Sequence, residues 1–106
     1  MRYEVIIERP AQEDIENAYL RLYQRAGAQA LDWFYGIEEA ILSLEQFPKR
    51  CGLATEDPRF SEQIRQLLFG KKKGMYRILF TIKVHRVHVL HVRHTSQDLL
   101  DPELLK

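Results

Sequence analysis

From Met75 to Val84 the chain alternates with a period of two. Tyr76, Ile78, Phe80, Ile82 and Val84 are apolar, and Arg77, Thr81 and Lys83 stand between them. Such alternation builds a strand with one buried face, so Arg77 is expected to point away from the core. The run from Ile64 to Phe69 reads as the strand before it, and Arg86 to His94 as the strand after it. The first link is Gly70-Lys71-Lys72-Lys73-Gly74, a glycine-bounded hairpin loop; the second is a tight turn near His85. Three strands joined in this way form an antiparallel meander.

Upstream the period changes. Ile15, Ala18, Tyr19, Leu22 and Ala26 recur at spacings of three and four after Pro10, which predicts a helix ending at Gly27. Leu31, Phe34, Ile41 and Leu44 form a second stripe, with Ile37 and Ala40 beside it, on a helix from about Ala28 to Phe47. Pro48 stops it. A link of a few residues makes the pair an antiparallel hairpin. Tyr3 to Ile7 is a short β-branched run ahead of both. The stretch from Pro48 to Glu62 has no period and reads as a loop. The order strand, helix, helix, strand, strand, strand implies an α+β fold in one domain, 1–106: one antiparallel sheet with the helical hairpin on one face.

The single cysteine, Cys51, leaves no internal disulfide to form and fits a reducing cytoplasm. MRYEVIIERP mixes acids into its apolar run and does not read as a secretory leader. No run approaches the ~20 apolar residues that span a bilayer, so no membrane partner is expected. GKKKG lacks the spacing and following helix of a phosphate-binding P-loop, and no cofactor is expected. The histidines at 85, 88, 91 and 94 do not suit a metal. On a regular strand His88 and His94 share one face while His85 and His91 take the other, and zinc needs three or four converging ligands.

Between Gln63 and Thr95 lie eight Lys/Arg residues, all four histidines and no acid, although the chain as a whole carries only +1. A local field of that kind suits a polyanion, a phosphate or an acidic protein. Arg77 and Arg65 could hold a phosphate through paired N–H donors, and His94 could move a proton near neutral pH. Lys71, Lys72 and Lys73 could add phosphate or target contacts, or form a solvated turn tip. Tyr19, Tyr23, Phe34 and Tyr35 lie at helical spacings and read mainly as core, with any exposed members available as an apolar groove.

AQEDIENAYLRL, the helix Ala30 to Pro48 with FYGIEEAI and LEQFP, IRQLLFGKKKGMYRILFTI and VHVLHVRHTSQDLL together resemble toxins of the RelE/ParE superfamily of bacterial type II toxin–antitoxin modules. The long helices and the VRH ending are closer to the ParE branch. The resemblance implies a toxin neutralised by a cognate antitoxin whose C-terminal segment wraps it. It implies one of two targets: DNA gyrase, inhibited without RNA cleavage, or the ribosome, where messenger RNA is cut. If the chain is an endoribonuclease, the resemblance points to Arg65, Arg77, Arg93 and His94 as its catalytic residues. No tyrosine follows Tyr76, and overall charge is low for a protein that sits in ribosomal RNA. Against the nuclease pattern that the resemblance implies, in which a late tyrosine stacks on the RNA base, both features argue against RNA cleavage, and the likeness to the ParE branch favours gyrase.

Overall fold

The computed structural model describes residues 2–71 and 74–96; Lys72, Lys73 and the apolar tail pair Leu99 and Leu100 lie outside the described residues. Strand β1 (Glu4–Ile7) leads into helix α1 (Arg9–Ala26), with Pro10 in its first turn. Gly27 ends α1 at φ 60°, a left-handed value that suits glycine, while its N–H reaches the Tyr23 carbonyl. A 3₁₀ turn, Gly27–Gln29, reverses the chain into helix α2 (Ala30–Leu42). A further turn, Ser43–Glu45, extends α2 towards the predicted stop at Pro48. Strands β2 (Arg65–Phe69), β3 (Tyr76–Lys83) and β4 (Arg86–His94) follow.

The sheet order is β1-β4-β3-β2. The meander is antiparallel as expected, but the sheet as a whole is mixed, because β1 runs parallel to β4 from Glu4 opposite Arg86 to Ile7 opposite Val89. The fully antiparallel sheet of the sequence reading is therefore corrected. A short N-terminal strand can pair in either direction, and its alternation carries no information on which.

Ala11, Ile15 and Ala18 of α1 and Ile37 and Ile41 of α2 pack on Ile78, Phe80, Val87, Val89 and Val92. This is the principal core, and the apolar parity of β3 points into it. Trp33 joins the hairpin to the sheet, its ring 5.1 Å from that of Tyr76. Gly36 allows α2 to approach β2: an added Cβ would lie 2.8 Å from the Phe69 ring.

The second face of the sheet is not bare. The segment without period folds back over it, so that Ala54 and Ile64 pack on Leu79, with Phe60 and Leu90 alongside. Two short 3₁₀ turns, Pro48–Arg50 and Asp57–Arg59, shape this cover, and Asp57 Oδ1 accepts the Ile64 N–H at 2.8 Å.

The β3–β4 register also departs from regularity. Leu79 faces His91 and Phe80 faces Val89, so Leu90 is the extra residue of a β-bulge. The bulge overturns the expected histidine parity. His88, opposite Thr81, and His91, opposite Leu79, share the covered face, whereas His94, opposite Tyr76, lies on the helical face.

Among the described residues, two that are not glycine take a left-handed backbone, Phe47 at φ 50° and Val84 at φ 57°. Left-handed geometry costs an ordinary L-residue about 1–2 kcal/mol, and a β-branched one is the least suited. Val84→Gly is therefore expected to stabilise the fold by about 0.5–1 kcal/mol once the extra unfolded-state entropy of glycine is subtracted. Urea unfolding of the two chains measures it.

Candidate functional site

Arg77 is the residue that sequence reasoning placed at the centre of a phosphate site. It points away from the helical face as expected, yet it is only 8% exposed. Its Nη1 donates to Glu56 Oε1 at 2.8 Å and its Nη2 to Glu56 Oε2 at 2.7 Å. Gln66 Oε1 accepts a third bond from Nη1 at 3.3 Å. Glu56 is itself 0% exposed. A guanidinium held by both oxygens of a buried carboxylate has its planar fork already engaged.

The four catalytic candidates divide between two faces. Arg77 and Arg93 are cross-strand partners on the covered face. His94 pairs with Tyr76 on the helical face, its ring 5.0 Å from the Tyr76 ring, and its Nδ1 meets Ser96 Oγ at 2.7 Å. Arg65 pairs with Phe80, also on the helical side, and its Nη1 donates to the Cys51 carbonyl at 2.6 Å. Their partners on β3, Phe80 and Tyr76, are four positions apart, about 14 Å along the strand at ~3.4 Å per residue, and Arg65 and His94 lie on opposite sides of that strand. The structure thus brings Arg77 and Arg93 together and leaves Arg65 and His94 apart from them and from each other. Lys71 is exposed at the β2–β3 turn.

The acid-free segment finds its acids in the rest of the chain. Arg86 Nε lies 2.9 Å from Glu4 Oε1, and Lys83 Nζ 3.3 Å from Glu62 Oε1. His88 Nδ1 lies 2.9 Å from Glu8 Oε1. His91 Nδ1 lies 2.8 Å from Asp14 Oδ2, which also accepts the Val92 N–H at 2.9 Å. That last bond has a structural reason: β1 ends opposite Val89, so beyond it the edge of β4 needs another acceptor, and Asp14 supplies one. The charge segregation in the sequence is, to this extent, pairing in space rather than an uncompensated field. Sequence reasoning missed Glu56 and Asp14 as partners, because the first sits in an aperiodic loop and the second among several helix-start acids.

Burial pushes the Cys51 thiol up, against the smaller opposing pull of Arg50 and Arg65. Such a thiol stays protonated and is a poor nucleophile. Among the described residues no three His, Cys, Asp or Glu side chains converge as metal ligands, and no helix is long and apolar enough to cross a membrane.

A concave apolar surface of about 440 Å³ lies where the helical hairpin meets β1, lined by Ile7, Ile15, Tyr19, Leu31 and Phe34, with Gln12, Glu16 and Glu38 at its rim. Tyr19 and Phe34 meet edge to face with ring centroids 5.6 Å apart. Tyr23 and Tyr35 continue this aromatic surface and are themselves exposed. The four aromatics expected mainly in the core therefore straddle its boundary.

The structure is thus a helical hairpin on a small mixed sheet, with a carboxylate-locked central arginine and an apolar groove beside β1. Residues 5–99 match the family described as the ParE toxin of the type II toxin–antitoxin system, parDE, and the chain belongs to that family. Among solved structures it is similar to the chromosomal ParDE toxin–antitoxin system from P. aeruginosa. The identity there is 20%, covering 90% of this chain and 98% of that one, with a TM-score of 0.75. It also matches the toxin–antitoxin complex RelBE2 from Mycobacterium tuberculosis, at 22% identity over 89% of this chain and 99% of that one, with a TM-score of 0.49. No curated protein matches it by sequence. The protein is a toxin of a type II toxin–antitoxin system, and its partner is an antitoxin.

Proposed function

We propose that this toxin arrests growth by binding a protein target, DNA gyrase, rather than by cutting messenger RNA on the ribosome. The observation that carries the reading is the closed Arg77–Glu56 pair. Phosphate-transition-state stabilisation requires donors aimed at the developing charge, and a fork whose two Nη atoms both point at a buried carboxylate is not so aimed. The separation of Arg65 and His94 from Arg77 supports the same reading, since acid, base and cation must converge within hydrogen-bond reach. The apolar groove between α1, α2 and β1 suits the antitoxin's C-terminal segment as a helix-in-groove or extended ligand.

The test uses purified toxin in two assays. Supercoiling of relaxed plasmid by gyrase is expected to fall with rising toxin and to recover on adding antitoxin. Messenger RNA on programmed ribosomes is expected to stay intact at the same concentrations. Normal supercoiling at excess toxin, with new messenger RNA ends at the ribosomal A site, would establish the nuclease instead.

A further inference from the structure

Phe47 and Val84 are the two left-handed non-glycine residues of the described chain. They are also its two most exposed large apolar residues, at 77% and 82%. The coincidence is spatial as well. Tyr3 N–H donates to the Glu45 carbonyl at 2.8 Å, and the next residue, Glu4, donates to the His85 carbonyl at 2.9 Å. Phe47 is two residues from Glu45, and Val84 adjoins His85, so both project at the same end of the sheet.

Phe47 is held there at some expense to the fold. Its φ and ψ are 50° and 52°, and Pro48, which follows it, disfavours helical geometry in its neighbour. Arg50 locks the conformation. Its Nη1 donates to the carbonyls of Gln46 at 2.7 Å and Phe47 at 3.1 Å, and its Nη2 reaches Ser43 Oγ at 3.1 Å. Pro48 is buried beneath. An exposed aromatic ring in a strained conformation that a guanidinium clasp over-determines contributes little to stability and is pre-organised for contact.

The surroundings indicate what it contacts. A shallow cleft of about 540 Å³ beside it is lined by Lys49, Arg65, Lys83 and Val84, with Glu62 as its one acid. Its charge is opposite to the Glu16 and Glu38 rim of the apolar groove. Phe47 stands nine residues beyond Glu38, past the end of α2 at Leu42 and the turn Ser43–Glu45. The two surfaces therefore suit different partners. Nucleic acid is the weaker candidate for this end. The exposed aliphatic Val84 beside the ring offers a nucleic acid neither a donor nor a stacking face, whereas a protein pocket can cover both side chains.

We infer that Phe47, flanked by Val84 and Lys49, is the anchor through which the toxin docks on its target protein, at an apolar pocket with an acidic rim. This rests on the reading that the toxin acts by binding a protein. Removing an aromatic anchor of this kind weakens binding by at least about tenfold.

The experiment uses the full chain carrying Phe47→Asn, since Asn tolerates left-handed geometry and the fold is kept. Melting temperature should be equal or higher. The toxin concentration that halves gyrase supercoiling, and the induction level that arrests growth without antitoxin, should each rise at least about tenfold. Affinity for the antitoxin and for a fluorescent oligouridylate should match the wild type. Lys49→Glu should weaken gyrase inhibition in the same direction and more strongly at low salt. Growth arrest by Phe47→Asn at wild-type induction overturns the inference. So does a tenfold loss of antitoxin affinity, which would give this end to the antitoxin, or a tenfold loss of oligouridylate affinity, which would give it to RNA. If the wild type leaves gyrase unaffected but arrests growth, gyrase falls as the target, and the growth comparison alone decides the role of Phe47. A wild type that arrests neither overturns both proposals.

Discussion

Glu56→Ala is expected to lower the free energy of unfolding by about 3–5 kcal/mol, the usual cost of leaving a buried charge without its partner. Arg77 would remain nearly buried, with only the longer bond to Gln66. Against a total stability of roughly 5–15 kcal/mol this is a large fraction, and urea unfolding would show a lowered midpoint. Arg77→Ala should also destabilise the fold, since it removes the two-point partner of the buried Glu56 carboxylate. Replacing both with methionine removes both desolvation costs at similar volume, so the double variant should recover most of the loss; buried pairs behave non-additively for this reason. The double variant also separates two roles for Arg77. If the arginine holds the covering loop to the sheet, the refolded double variant still arrests growth. A folded but harmless double variant would return Arg77 to chemistry.

The helical hairpin and the meander were legible because their periods are long and clean. Ile15 and Ala18 in α1, Ile37 and Ile41 in α2, and the β3 alternation each repeat often enough to fix an element and its buried face. The outward direction of Arg77 followed from the same parity. What it met there did not, because Glu56 lies in a segment that owes its position to tertiary contacts: Ala54 and Ile64 on Leu79, and the Asp57 cap on Ile64. The bulge at Leu90 was equally silent. One inserted residue leaves β4 rich in valine and histidine but changes which side His91 and His94 occupy. The direction of β1 also required the three-dimensional partner, since Val5 and Ile7 would alternate in either orientation. Charge was the most misleading signal. Lys83, Arg86, His88 and His91 cluster in sequence, yet Glu62, Glu4, Glu8 and Asp14 come to them from regions 21 to 82 residues away.

Leu31→Asp is expected to uncouple the toxin from its antitoxin while leaving the toxin folded. Leu31 stands in the first turn of α2, where it is 40% exposed and lines the apolar groove. An acid in the first turn of a helix interacts favourably with the helix dipole, by about 0.3–1 kcal/mol, which offsets the modest burial that Leu31 loses. Bound antitoxin changes the balance. Covering the exposed two-fifths of Leu31 contributes about 1 kcal/mol, and a carboxylate in its place would lose that and add a larger desolvation cost. The affinity should fall at least ~100-fold, a factor that corresponds to about 2.8 kcal/mol, read by calorimetry of the purified pair. Glu16 and Glu38 at the rim imply that the antitoxin segment presents apolar residues flanked by basic ones, so wild-type affinity should also decline with salt. In cells, Leu31→Asp should remain toxic, and antitoxin should no longer rescue growth. Unchanged affinity would place the antitoxin on a different surface and leave this groove without its occupant.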